Sequence, residues 1–146
     1  MFIRLDVEDL GLARSALRGI RERAEDLRVP LRAAGFHMLA SIRENFRVGG
    51  RPSRWVPLSP VTLRRKWPET RVLIETGRLM RSIRFRTGRS SLALRSRIRY
   101  ARIHQRGGHA GPGRQIHIPA RPYLVFQKSD VEIVGRIVGE YLAGGS

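Results

Sequence analysis

Residues 100–123, YARIHQRGGHAGPGRQIHIPARPY, hold two ordered ends around a glycine-rich middle. Tyr100, Ile103 and His104 fall at helical spacing, and Gly107-Gly108 stops that helix. Gly108, Gly111, Pro112 and Gly113 predict a loop, long and flexible, from Gly107 to Arg114. Ile116 and Ile118 then alternate with Gln115 and His117, the period of a short strand. Pro119 and Pro122 fix the chain direction on either side of Arg121.

Upstream of this stretch the period is also two. Ile83, Phe85 and Thr87 share one face, with Arg84 and Arg86 on the other. After a turn at Gly88-Arg89-Ser90, Leu92, Leu94, Ser96 and Ile98 alternate with Ala93, Arg95, Arg97 and Arg99. This is a β-hairpin pattern with one buried face. The other face carries Arg84, Arg86, Arg95, Arg97 and Arg99. Like charges on paired strands repel, so such a face is expected to meet a polyanion or an acidic surface, with a merely solvated face as the alternative. Downstream, Tyr123-Leu124-Val125-Phe126 reads as a strand. Ser129 or Asp130 is placed to cap a final helix with an apolar side of Val131, Val134, Ile137, Val138, Tyr141 and Leu142.

The front of the chain is helical. Phe2–Leu5 reads as a short strand. From about Glu8, Leu10, Ala13, Leu17, Ile20, Ala24 and Leu27 form one stripe. Pro30 opens a second helix, with Asp26 or Arg28 near its start, whose face is Leu31, Ala34, Met38, Ile42 and Phe46, closed by Gly49-Gly50. The first stripe is expected to make a two-helix core element, with a subunit-facing coiled coil as the alternative. Ser59 as N-cap and Pro60 at N1 predict a short helix to about Lys66. Trp55 and Leu58 pin the preceding loop to the core, or Trp55 meets a partner. After VLIET (72–76), Thr76 and Gly77 start a short amphipathic turn with Leu79, Met80 and Ile83.

The expected fold is α+β, one domain over 1–146, with a helical part (1–48), a sheet with loops (49–128) and a C-terminal helix (129–143). At 41% hydrophobic residues the chain can bury a core. No apolar run is long enough to span a membrane, and no signal-peptide core is visible. The absence of cysteine excludes disulfides and thiolate metal sites and suits synthesis in the cytoplasm. Net charge is +17, and 27 of the 29 basic residues are Arg, the side chain better suited to phosphate and interface ion pairs. The charge is uneven: residues 1–27 carry six acids and five bases, whereas 76–129 carry thirteen bases and no acid.

Catalytic groupings are not visible. His37, His104, His109 and His117 match no compact zinc spacing, and no carboxylate lies between Thr76 and Ser129 to complete a shell. His104 is expected to be a hydrogen-bonded structural histidine. Ser59 and Ser82 lack a nucleophile-elbow setting, and GGHAGPG lacks the Lys of a phosphate loop. Neither a cofactor nor a metal is expected.

Several segments together resemble the phage virion morphogenesis family, the tail completion proteins of Mu-like and P2-like phages. They are the helical part ending at Phe46, RPSRWVPLSPVTLRRK (51–66), LIETGRLMRSI (73–83), YARIHQRGG (100–108) and IPARPYLVF (118–126). The resemblance implies a non-catalytic structural protein that completes or terminates the tail and joins it to the head. It implies a small antiparallel sheet or half-barrel flanked by helices, similar to ring-forming neck proteins. The implied partners are copies of itself in a ring, a hexamer by preference, together with portal or connector, tail tube or sheath, and DNA in the lumen. The implied location is the virion neck. Within that picture the five hairpin arginines face lumen or partner, and Trp55, Arg78, Arg81, His109 and Arg114 are candidate assembly contacts. A sequence-independent DNA-binding protein acting through the arginine face is the alternative; a nuclease or peptidoglycan-acting enzyme is the third reading.

Overall fold

A computed structural model describes residues 7–145; the Phe2–Leu5 strand lies outside the described residues. The organising element is helix α2 (Arg28–Val48). Its stripe of Leu31, Ala34, Met38, Ile42 and Phe46 recurs every three or four residues, and all five are buried. Gly49 ends it in the left-handed conformation, φ 78°. Gly35 lies on the same helix, where a Cβ would fall 2.5 Å from the Phe85 ring. Its missing side chain lets the following hairpin cross α2 closely.

Helix α1 (Val7–Ala24) precedes α2 and contradicts the two-helix core expectation. Ala13, Leu17, Ile20 and Ala24, predicted to face inward, are exposed. The helix instead meets the C-terminal helix α6 (Lys128–Leu142) near its own C-terminal end, where Arg23 Nε donates to Leu142 O at 2.8 Å. Helix α3 (Pro60–Lys66) starts as its cap and proline dictate, with Ser59 Oγ accepting from Thr62 N. The turn after Thr76 becomes α4 (Arg78–Ser82), entered through Gly77 in the left-handed region.

The strands form two separate hairpins rather than one sheet. In the first, β1 (Arg84–Thr87) pairs antiparallel with β2 (Leu92–Arg95), Phe85 opposite Leu94. Pairing stops at Arg95, sooner than the alternation suggests. Ser96 Oγ bonds Ser82 Oγ at 2.7 Å and accepts from Ile98 N at 3.2 Å, turning the chain out of the ladder. Helix α5 (Ala101–Arg106) follows and ends at Gly107, where a Cβ would meet Ala120 N at 2.8 Å. The predicted flexible loop is a second hairpin instead: β3 (Gly108–Ala110) pairs with β4 (Ile116–Ile118) across a 3-10 turn at Pro112–Arg114.

Tyr123–Phe126 is not a strand. Its backbone partners are side chains: Gln105 Oε1 accepts from Tyr123 N and Leu124 N, both at 3.0 Å, and Asn45 Nδ2 donates to Tyr123 O at 2.9 Å. With its polar groups satisfied this way, the segment lies over the core as a strap and needs no neighbouring strand. Tyr123 enters the core, 1% exposed, and stacks at a tilt on Phe46 with ring centroids 5.5 Å apart. The core itself joins Ile42, Phe46, Trp55, Ile74, Leu79, Ile83, Ala101 and Tyr123.

Helix α6 is capped from Gln127, not from Ser129 or Asp130. Asp130 sits three residues in and its Oδ2 accepts from Gln127 N at 2.9 Å. The same carboxylate accepts from Ser41 Oγ at 2.7 Å and pairs with His37 Nε2 at 2.8 Å, clasping α6 to α2. Arg51 extends the network, donating to Ser41 Oγ and to Asn45 Oδ1 at 2.8 Å each.

Candidate arginine interface

The first hairpin keeps its alternation in three dimensions. Phe85, Thr87, Leu92 and Leu94 are half-buried, whereas Arg84, Arg86, Arg95, Arg97 and Arg99 are all exposed. Arg84 stands directly across from Arg95 in the ladder, and Arg86 across from Ala93. Among the described residues the ion pairs are Arg28–Asp26, His37–Asp130, Arg47–Glu44 and Arg71–Glu69, and none reaches this face. Arg84 instead donates to the carbonyls of Arg81 and Ile83. A groove of about 280 Å³ is lined by Arg84, Arg86, Arg95 and Arg97 together with Ser82, Phe85 and Ile98. Arginines beside apolar side chains suit a planar, negatively charged group. The hairpin tip is anchored, since Leu27 N donates to Arg89 O at 2.7 Å.

The remaining candidate contacts are dispersed. Trp55 is 6% exposed, its ring edge-on to Phe46 and its Nε1–H donating to Pro122 O at 2.8 Å. It is therefore spent inside the subunit, the pinning role, and is withdrawn as an assembly contact. Arg78 and Arg81 are exposed on α4, where Arg81 donates to Thr76 O. His109 is exposed on β3 opposite His117, ring centroids 5.3 Å apart, and Arg114 is exposed at the turn with φ 55°.

A larger cavity of about 760 Å³ opens between α3, the start of α4, α5 and β4. Arg121 forms part of its wall and was legible in the sequence only as a residue between prolines. It is 7% exposed, and its guanidinium donates to Val56 O at 2.9 Å and Pro57 O at 3.1 Å, holding the Trp55 loop closed. Burial lowers its pKa, and carbonyl oxygens stand where a carboxylate would be expected. His104 corrects another expectation: among the described residues its buried Nδ1 has no hydrogen-bond partner. Burial, with Arg121 nearby, pushes its pKa down and favours the neutral ring.

Among the described residues no three His, Cys, Asp or Glu side chains converge as metal ligands. Ser41, His37 and Asp130 have the composition of a catalytic triad but not its order. Serine and histidine each bond the aspartate rather than one another, so no base stands over the hydroxyl. Among the described residues no helix is long and apolar enough to cross a membrane.

A model of the phage virion morphogenesis family matches residues 9–143. The chain is 35% identical over 129 residues to "Mu-like prophage FluMu G protein 2" of Haemophilus influenzae, covering 88% of this chain and 87% of that protein. No solved structure matches.

Proposed function

The chain belongs to the phage virion morphogenesis family, and from that premise we propose that it completes or terminates the phage tail and joins it to the head. In this reading it is a non-catalytic ring protein of the virion neck, six copies by preference. Its neighbours are the portal or connector on one side and tail tube or sheath on the other, with DNA passing through the lumen. The observation that carries the working surface is the hairpin face of five exposed arginines without an acidic partner among the described residues. That face lines the lumen or docks on acidic protein, while Arg78, Arg81, His109 and Arg114 meet neighbouring subunits or rings.

The test is complementation of an infected-cell extract lacking this protein. Wild-type protein restores joined, infectious particles by electron microscopy and plaque count. Arg86→Glu with Arg97→Glu leaves unjoined heads and tails while melting within a few degrees of wild type, since exposed substitutions cost about 0.5 kcal/mol or less. Full rescue by the double variant would remove the arginine face from the mechanism. Joined particles without any added protein would refute the joining role itself.

The same face also favours a second reading, a DNA-binding protein that holds phosphates without reading bases. It predicts binding to free DNA of any sequence, and no requirement at the head–tail joint.

A further inference from the structure

Strand β4 pairs with β3 on one side only, in a sheet of two strands. Its other edge presents main-chain N–H and C=O groups that no ladder satisfies among the described residues. The cavity of about 760 Å³ is bordered by Ile116, His117 and Ile118 but by no residue of β3, so it opens along that free edge. Ile116, within this border, is 58% exposed. An unpaired edge beside a cavity is the setting in which an extended peptide adds a strand, held by main-chain hydrogen bonds and selected by its side chains.

The walls select the peptide. Arg65, Lys66, Arg78 and Arg121 line the cavity against one carboxylate, Glu75. None of the four takes part in an ion pair among the described residues. Lys66 Nζ donates to the carbonyls of Arg71 and Ile74, and Arg121 to those of Val56 and Pro57. Burial lowers the pKa of both, so an incoming carboxylate would stabilise two charges that carbonyls hold incompletely. Arg65 and Arg78 are exposed and open to it. A nucleic acid answers the charge but has no peptide backbone to pair with β4. A second copy brings +17 to the same surface. We propose that this cavity docks an extended acidic segment of another protein, which pairs with the free edge of β4 and sets its carboxylates against Arg65 and Arg78. Because β4 is three residues long, few main-chain bonds form, and charge supplies much of the affinity, which falls as salt rises. The cavity shares no lining residue with the groove of the arginine hairpin, so the proposal goes beyond the head–tail reading and stands whether or not the chain forms a ring.

The test titrates the full-length protein with a short synthetic peptide that alternates Glu with Val, read by fluorescence anisotropy and by amide NMR. The peptide is expected to bind and to shift the amides of Ile116, His117 and Ile118 first. Arg65→Glu with Arg78→Glu is expected to weaken binding roughly tenfold or more while keeping the wild-type melting temperature, because both side chains are exposed. Arg86→Glu with Arg97→Glu, on the hairpin, leaves the affinity unchanged. The same peptide with Lys for Glu does not bind, and neither does one whose backbone nitrogens are methylated, which keeps the charge and loses the strand donors. No binding by the Glu peptide, equal binding by either control peptide, or a response confined to the hairpin amides overturns the proposal. Two further results overturn it by naming another occupant. A single-stranded oligonucleotide that displaces the peptide from β4 at lower concentration makes the occupant a nucleic acid. Self-association in sedimentation velocity that Arg65→Glu with Arg78→Glu abolishes makes it a second copy.

Discussion

Asp130 is a carboxylate gripped by three donors inside a strongly basic protein. Burial alone raises its pKa, but Ser41, the Gln127 amide and His37 outweigh that, and the net shift is downward. A depressed carboxyl contributes stability that is fully present above its unfolded value, near pH 4, and is lost as the pH falls through the folded value. Asp130→Asn puts an amide NH2 where a second donor already points. It is expected to cost about 3 kcal/mol in urea unfolding at pH 7. At pH 3 the gap between variant and wild type narrows, because the wild type has begun to lose what the variant never had. An unchanged gap would mean the clasp does not titrate. None of this was legible in the sequence beyond a capping residue near 130, since His37 and Ser41 meet it only through the packing of α2 on α6.

The elements set by local chemistry were legible. Helix α2 followed from its stripe and its terminal glycines, α3 from Ser59-Pro60, and the first hairpin from its alternation. The misreadings share a cause. Tyr123–Phe126 has strand composition, yet Gln105, 18 residues before Tyr123, takes the place of a neighbouring strand. In Gly108–Ala110 the glycine suggested a loop, because three residues are too few to show a period. Burial of the α1 stripe was inferred from amphipathicity, which gives a helix an apolar face but does not place that face in the core. The strap supplies a direct test. Gln105→Ala strands two backbone N–H groups and one carbonyl, and is expected to destabilise by about 2–4 kcal/mol. Hydrogen exchange should quicken first at the amides of Tyr123 and Leu124. Exchange spread evenly over the chain would argue against the strap as a separate unit.

Across the whole molecule, the sequence disclosed the size and segregation of the charge, and the structure discloses how it is spent. Arg121 is sealed inside as a fastening, whereas the five hairpin arginines remain outside. If all five engage phosphates, binding to duplex DNA falls with salt at a log–log slope of about −4 to −5. Fluorescence anisotropy between low and moderate salt measures it, and a slope near −1 would leave the comb of arginines idle on DNA. The Leu27–Arg89 bond ties the tip of the arginine hairpin to the turn that leads into α2. Both of its atoms belong to the main chain. Side-chain scanning is therefore blind to this joint, and a map built from alanine variants would draw the hairpin tip and the start of α2 as independent although a main-chain hydrogen bond joins them.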